Sequence, residues 1–309
     1  MKTRITQLLG IEHPIFQAAM SWASSNAPLV IAVSNAGGMG VLGAGPMRPE
    51  DFSQALDAIK AGTTKPYGVN IPLNGARAAE LLEIAYAKRI PVMVASQGGP
   101  REHLPRFRAI GTKWLHVVAS VEHAKKAEAA GVDALVVDGA EAGGHPPPSN
   151  VSTLVLVRRL VRATRLPVVA SGGVADGAGI AALLALGAEA VQLGTRFIAT
   201  PEASVHENYK RAVLAADVHD TCLVGPAALP IRQLKNAFTQ KFLSASEHER
   251  DPVFKSSSLK KAALEGDVEW GKVEAGQSAG LVDDIVPAAQ LMKRLVDELE
   301  QARRRLASL

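Results

Sequence analysis

The chain has 309 residues, 47% of them hydrophobic and 21% charged, with a formal net charge of +4. It can bury a sizeable core and carries no signature of disorder. Aromatic residues make up only 4%, with no lysine or arginine block among them, which argues against a nucleic-acid groove and leaves a mild positive field suited to an anionic small molecule.

The N-terminal stretch MKTRITQLLGIEHPIF lacks the apolar core of a signal peptide, and no apolar run reaches the roughly 18 residues of a membrane span. Cys222 is the only cysteine, so an internal disulfide is excluded. A soluble, cytoplasmic protein is expected.

Short apolar segments then recur along the chain: PIFQAAM (14–20), GVLG (40–43), YGVNI (67–71), PVMVAS (91–96), WLHVVA (114–119), ALVVDG (134–139), PVVASG (167–172) and AVQLGT (190–195). They are apolar at consecutive positions, as strands buried on both faces are. Helical patterns such as PEDFSQALDAIKAG, ARAAELLEIAYAKR, SVEHAKKAEAAG and GAGIAALLALGA separate most of them, several stopping at glycine.

Eight such units predict an α/β fold, a (β/α)8 TIM barrel over residues 1–200. An open doubly wound sheet shares the pattern. The barrel is favoured because nearly every strand ends in glycine or a polar residue (Gln17, Asn70, Gln97, Asp138, Ser171, Gly194), and a barrel gathers all those ends at one mouth.

Residues 201–282 break the rhythm and read as a polar, helical cap inserted after strand eight, a substrate subdomain; the helix within 283–309 closes the barrel. Lys210, Arg211, Arg232 and Lys235 of the cap could meet an acidic carrier or nucleotide phosphates, although a solvated helix face is the plainer reading.

The loops after strands seven and eight, VVASGGVADGAG and VQLGTRF, offer Gly172, Gly173, Gly194 and Thr195 as donors to a phosphate. Barrels build such sites there, because glycine lets backbone N–H groups come close to an anion. Ala18, Ala19 and Met20 end strand one with room for a flat ring, and Asn70 and Gln192 offer amides to its polar edge.

DGAEAGGHPPPSN places His145 after two glycines at the sixth strand's end, where barrels put chemistry and where an imidazole can move a proton near neutral pH. His103, His123 and His248 lie in exposed-looking helical settings, and His13 and His206 adjoin no glycine pair. No metal-binding or nucleophile-elbow motif occurs, so no metal site is expected. Asp133, Asp138 and Glu141 could form a hydrolytic carboxylate pair, but turn capping explains them as well.

HPIFQAAMSW, AVSNAGGMGVLGAG, YGVNIPL, DGAEAGGH, VVASGGVADGAGIAALLALGAEAVQLGTRFIAT, VHENYKRAVLAA and EAGQSAGLV together resemble the nitronate monooxygenase (2-nitropropane dioxygenase) family. The flavin-dependent enoyl-ACP reductases of the second type share its superfamily. The resemblance spans residues 5–300 and implies non-covalent FMN in the barrel mouth. Its phosphate would lie at Gly172, Gly173, Gly194 and Thr195, with contacts from Ala18, Ala19, Met20, Asn70, Asp138, Gly143, Gly144, Ser171, Gln192 and Leu193.

His145 matches the family histidine beside the flavin, a base or substrate-orienting group. Asp138 stands where many relatives carry Gln or Glu. Pro146-Pro147-Pro148 departs from the family loop and predicts a stiffer one with fewer N–H donors. Val117 stands where some NADH-using relatives carry Lys.

Three readings remain open at this stage. The first is an FMN-dependent monooxygenase oxidising alkyl nitronates with O2. The second is an NAD(P)H-dependent FMN reductase of an enoyl-thioester or quinone. The third is a flavin- or phosphate-binding barrel without catalysis. A small-molecule substrate is common to the first two, with no nucleic acid or membrane partner expected, and buried cap surfaces could form a homodimer.

Overall fold

A computed structural model describes residues 1–309. Strands β1 (Ile15–Gln17), β2 (Met39–Gly43), β3 (Gly68–Pro72), β4 (Val92–Ser96), β5 (Lys113–Val118), β6 (Ala134–Asp138), β7 (Val168–Ser171) and β8 (Ala190–Leu193) pair in parallel in that order. β8 then pairs with β1, Phe16 lying opposite Gln192, and the barrel is closed. Helix α1 (Arg4–Leu9) precedes β1. Helices α2 (Ala27–Asn35), α3 (Pro49–Gly62), α4 (Ala78–Ala87), α5 (Leu104–Ala109), α6 (Val121–Ala130), α7 (Thr153–Val161) and α8 (Gly177–Ala185) follow the first seven strands, and α9 (Thr195–Ile198) follows β8.

The strands read as continuous apolar runs because both faces are buried. Phe16, Met39, Val41, Val92, Val94, Leu115, Val136 and Val169 fill the barrel, and Ile5 and Leu9 of α1 plug its floor. Their neighbours Leu42, Val69, Met93, Leu135, Val137 and Val191 face the helices. Each such side chain contributes about 1.5–3 kcal/mol on full burial. The floor helix is tied down by Thr3, whose hydroxyl donates to the carbonyl of Glu189 at 2.7 Å.

Residues beyond α9 form α10 (Glu207–Ala215), β9 (Thr221–Val224), β10 (Ile231–Leu234), α11 (Ala237–Ser244), α12 (Glu247–Lys255), α13 (Leu259–Glu265), a 3-10 turn (Gln277–Leu281) and α14 (Ala288–Ala307). The helical pattern expected from Arg232 onward is thus wrong over its first residues. Arg232–Leu234 belong to an antiparallel ribbon with Thr221–Leu223, held by pairing across the chain rather than by local periodicity. α14 packs between α8 and α2 and takes the place of the barrel's eighth outer helix. The approach to α8 is close: a Cβ on Gly177 would collide with the α14 backbone at Leu299. No helix is long and apolar enough to cross a membrane.

Candidate active site

A cavity of about 730 Å3 opens at the C-terminal ends of the strands, between the barrel mouth and the segment that follows α9. Of the residues expected at the site, Ala18, Ala19, Met20, Asn70, Asp138, Gly143, Gly144, His145, Ser171, Gly172, Gly173, Gln192, Gly194 and Thr195 all line it. Leu193 does not. Successive strand residues point to opposite faces, so with Gln192 turned into the mouth, Leu193 is buried in the helix layer.

The inner end of the cavity is a ring of polar groups on β3, β6, β7 and β8. Asn70 donates through Nδ2 to the Val94 carbonyl at 2.7 Å and to the Ser96 hydroxyl at 3.2 Å, which leaves its Oδ1 uncommitted. Gln192 donates through Nε2 to Ser171 Oγ at 3.3 Å. Ser171 also neighbours Asp138: burial raises the Asp138 pKa, and the Ser171 hydroxyl opposes that rise. Gln17, by contrast, spends its amide on the backbone of Val41 and does not line the cavity.

On one side of the mouth, Gly172 and Gly173 adopt left-handed φ values of +105° and +74°. That geometry is open to glycine at little cost. It turns the loop inward, and none of the amides of Gly172, Gly173 or Gly194 donates to a protein oxygen. The Thr195 hydroxyl accepts from Gly276 N–H at 2.9 Å and keeps its own proton to donate. Such a cluster of free N–H groups in a glycine turn is an anion cradle.

His145 stands on the opposite side. Gly144, at φ +72°, pairs on both of its backbone groups with Arg232, so the ribbon clamps this loop. Arg232 adds a bond from Nε to the Ala140 carbonyl at 2.8 Å. It is buried, as is Lys210, which pairs with Glu207. The solvated-face reading holds for Arg211 and Lys235 but not for these two.

His145 Nδ1 lies 3.3 Å from the carbonyl of Pro230. A carbonyl can only accept, so Nδ1 carries the proton and Nε2 presents a lone pair. His145 is open to the cavity, yet enough protein surrounds it that burial lowers its pKa. Near neutral pH it is therefore a base or acceptor. Pro146 and Pro147 are buried behind it, and the three prolines remove N–H donors from the cavity wall.

Four further wall groups are placed here only by the fold. His116 of β5 is buried, with Nδ1 unpartnered. His123 of α6 reaches the cavity although its sequence setting is that of an exposed helix. Glu274 and Tyr209 come from the segment after β8: the Tyr209 hydroxyl donates to the Glu274 carbonyl oxygen at 2.8 Å. Burial raises the Glu274 carboxyl to a pKa of about 7, against the lowering effect of Lys272. A strand-end position could have flagged His116; nothing local marks Glu274. The carboxylate pair considered for hydrolysis dissolves, because Glu141 caps Thr153 at 2.8 Å and Asp133 accepts from Trp114 N–H at 2.7 Å.

A sequence model described as nitronate monooxygenase matches residues 2–97 and 80–298. A nitronate monooxygenase of Paraburkholderia phytofirmans is 33% identical over 97% of this chain and 96% of its own. An octahydro-indene carboxyl-CoA dehydrogenase of Mycobacterium tuberculosis is 30% identical, covering 96% of this chain and 95% of its own. Among solved structures, FabK from Thermotoga maritima is similar at a TM-score of 0.95 and 40% identity, covering 100% of this chain and 99% of that one.

Proposed function

The chain belongs to the nitronate monooxygenase family of oxidoreductases, and from that membership we propose that it is an FMN-dependent reductase drawing electrons from NAD(P)H and passing them to an enoyl thioester. The residues at the mouth fit the cofactor. Free amides at Gly172, Gly173 and Gly194 suit a terminal phosphate. The uncommitted Asn70 Oδ1 and the Gln192–Ser171–Asp138 chain suit the polar edge of a flat ring. Ala18 and Ala19 leave space for the ring itself. FMN held there supplies two-electron transfer.

One observation carries the thioester reading. The cavity is about 730 Å3, and its lining takes in Gln97, His116, His123, Lys126, Pro147 and Leu229 as well as the residues of the polar ring. A small nitronate would leave much of that volume unused, whereas a thioester has a long tail to lay in it. The likeness to FabK, at 40% identity, supports the same substrate class.

His145 orients the substrate by accepting at Nε2 from an amide N–H of the thioester's tail, and the clamp of Arg232 on Gly144 fixes the ring's position. The walls exclude bulk water from the reacting carbons. Nitronate oxidation is the second reading, favoured by the unprotonated Nε2 of His145, which could take the α-proton of a neutral nitroalkane and so generate the nitronate in place.

Anaerobic mixing separates the two. Bleaching of the flavin absorbance by NADH or NADPH, with colour restored by crotonyl-CoA, is the expected result. Bleaching by a nitronate alone, with no response to either nucleotide, would reverse the assignment. A purified protein that takes up no FMN would remove both.

A further inference from the structure

The cavity holds more titratable groups than binding requires, and most are already committed. Tyr209 spends its hydroxyl proton on the Glu274 carbonyl. His145 spends its ring proton on Pro230. Asp138 lies deep in the ring of polar groups beside Ser171, whose effect opposes the rise that burial gives its pKa. His116 sits beside Gly98, and His123 and Lys126 are further members of the lining.

Glu274 stands against Gly144 of the His145 loop, and its carboxyl faces the cavity with no hydrogen-bond or ion-pair partner in the protein. Its place is fixed from both sides: Leu234 N–H donates to the Val273 carbonyl at 2.9 Å, and Gly276 N–H donates to Thr195 Oγ at 2.9 Å. Glu274 Oε2 lies 3.3 Å from where a Gly144 Cβ would stand, beside the catalytic loop. The groups around it are Lys272 on its own segment, Tyr209 of α10 and His145. Lys272 turns its ammonium onto the Phe254 ring, 3.4 Å from the centroid, and not onto the carboxylate. Arg232 is directed to Ala140 and Thr221.

We infer that Glu274 is the proton donor of this cavity, delivering its carboxyl proton to the α-carbon of the enoyl thioester while His145 only orients it. The inference rests on the reductase reading above. The step balances: the C=C π bond breaks, and a hydride derived from NAD(P)H forms the C–H bond at the β-carbon. The Glu274 proton forms the other, and the carboxylate left behind regains a proton from water at the rim. The raised pKa of Glu274, about 7, keeps a protonated fraction available near neutrality, whereas that of His145 is lowered. Environments that push two groups apart in this way assign acid and acceptor.

The test uses the FMN-loaded enzyme with Glu274→Gln and Glu274→Asp, NADH as reductant and crotonyl-CoA as oxidant. The two half-reactions, reduction by NADH and re-oxidation by crotonyl-CoA, are timed separately in both variants. Re-oxidation should slow about 100-fold in Glu274→Gln and recover in part in Glu274→Asp. The wild-type rate should fall above pH ~7, and Glu274→Gln should lack that limb. A protonated-carboxyl infrared band titrating near neutral pH should vanish in the same variant, whatever the turnover.

Equal re-oxidation rates and pH profiles in wild type and Glu274→Gln would overturn the proton-donor role and leave the reductase standing. A wild type that NADH reduces but crotonyl-CoA never re-oxidises would overturn the reductase reading and this role with it. If Glu274→Gln does not fold, the wild type decides: a re-oxidation rate that does not fall above pH ~7, or no protonated-carboxyl infrared band titrating near neutral pH, refutes the assignment.

Discussion

Gly172→Ala places a methyl group where the proposed phosphate cradle has none. The backbone there sits at φ +105°, and a Cβ would stand 2.7 Å from Thr153 Oγ and 3.2 Å from Gly139 N. A left-handed conformation costs an L-residue about 1–2 kcal/mol, and crowding a packed site adds about 1–3 kcal/mol. Without ligand the loop can swing outward, since its amides are bonded to no protein oxygen. The cost therefore falls on the FMN-bound state. A floor of about 2 kcal/mol raises the FMN dissociation constant by at least ~30-fold.

Titration of apoprotein with FMN, followed by quenching of flavin fluorescence, measures this directly. Gly111→Ala is the control: its φ is +86°, but nothing lies within 4 Å of the new methyl and it is remote from the cavity. It should lose about 1 kcal/mol of stability with FMN affinity intact. If Gly172→Ala binds FMN within twofold of wild type and melts at the same temperature, the cradle argument is wrong.

Three other outcomes follow from the same geometry. His145→Ala should keep FMN and lose about 100-fold in kcat/KM, as expected when a substrate is no longer oriented; because burial lowers the histidine's pKa, the acid limb of the wild-type profile should lie below 6.5. Arg196 is buried and reaches Asp284 Oδ1 at 2.5 Å. Arg196→Ala should therefore cost on the order of 2–3 kcal/mol in thermal melts. Arg294 and Arg196 hold Asp284 below its usual range, so the stability it contributes is present above pH ~4 and is lost as pH falls through its folded value. Glu274 shifts the other way. Its folded pKa of about 7 exceeds the ordinary 4.5, so its ionisation destabilises the fold as pH rises between them. Glu274→Gln should match wild type in melting temperature near pH 4.5 and exceed it by pH 8. The gain should be on the order of 1 kcal/mol, because the carboxyl is partly screened by cavity solvent.

The sequence by itself determined the barrel, its closing helix and most of the mouth. These features are local and periodic. A strand buried on both faces must be apolar throughout, a helix must end where glycine permits, and the chain order of eight such units fixes which ends converge. Asn70, Asp138, Ser171 and Gln192 are legible as polar residues inside or at the end of apolar strand runs, and His145 because two glycines precede it. Leu193 was misplaced because a one-residue step along a strand reverses the face, which a list of neighbouring residues ignores.

Only the tertiary structure decided the far wall. The ribbon at Thr221–Leu234 exists through pairing with Gly144 and between its own strands, and that pairing makes Arg232 the clamp of the His145 loop rather than a surface cation. Glu274 lies 129 positions beyond His145 in a charged stretch whose local pattern says solvent. Its raised pKa arises because burial outweighs the lowering effect of Lys272. Periodicity reports which face of an element is buried. It cannot report which distant residue shares that burial, and the chemistry of this cavity depends on the second fact.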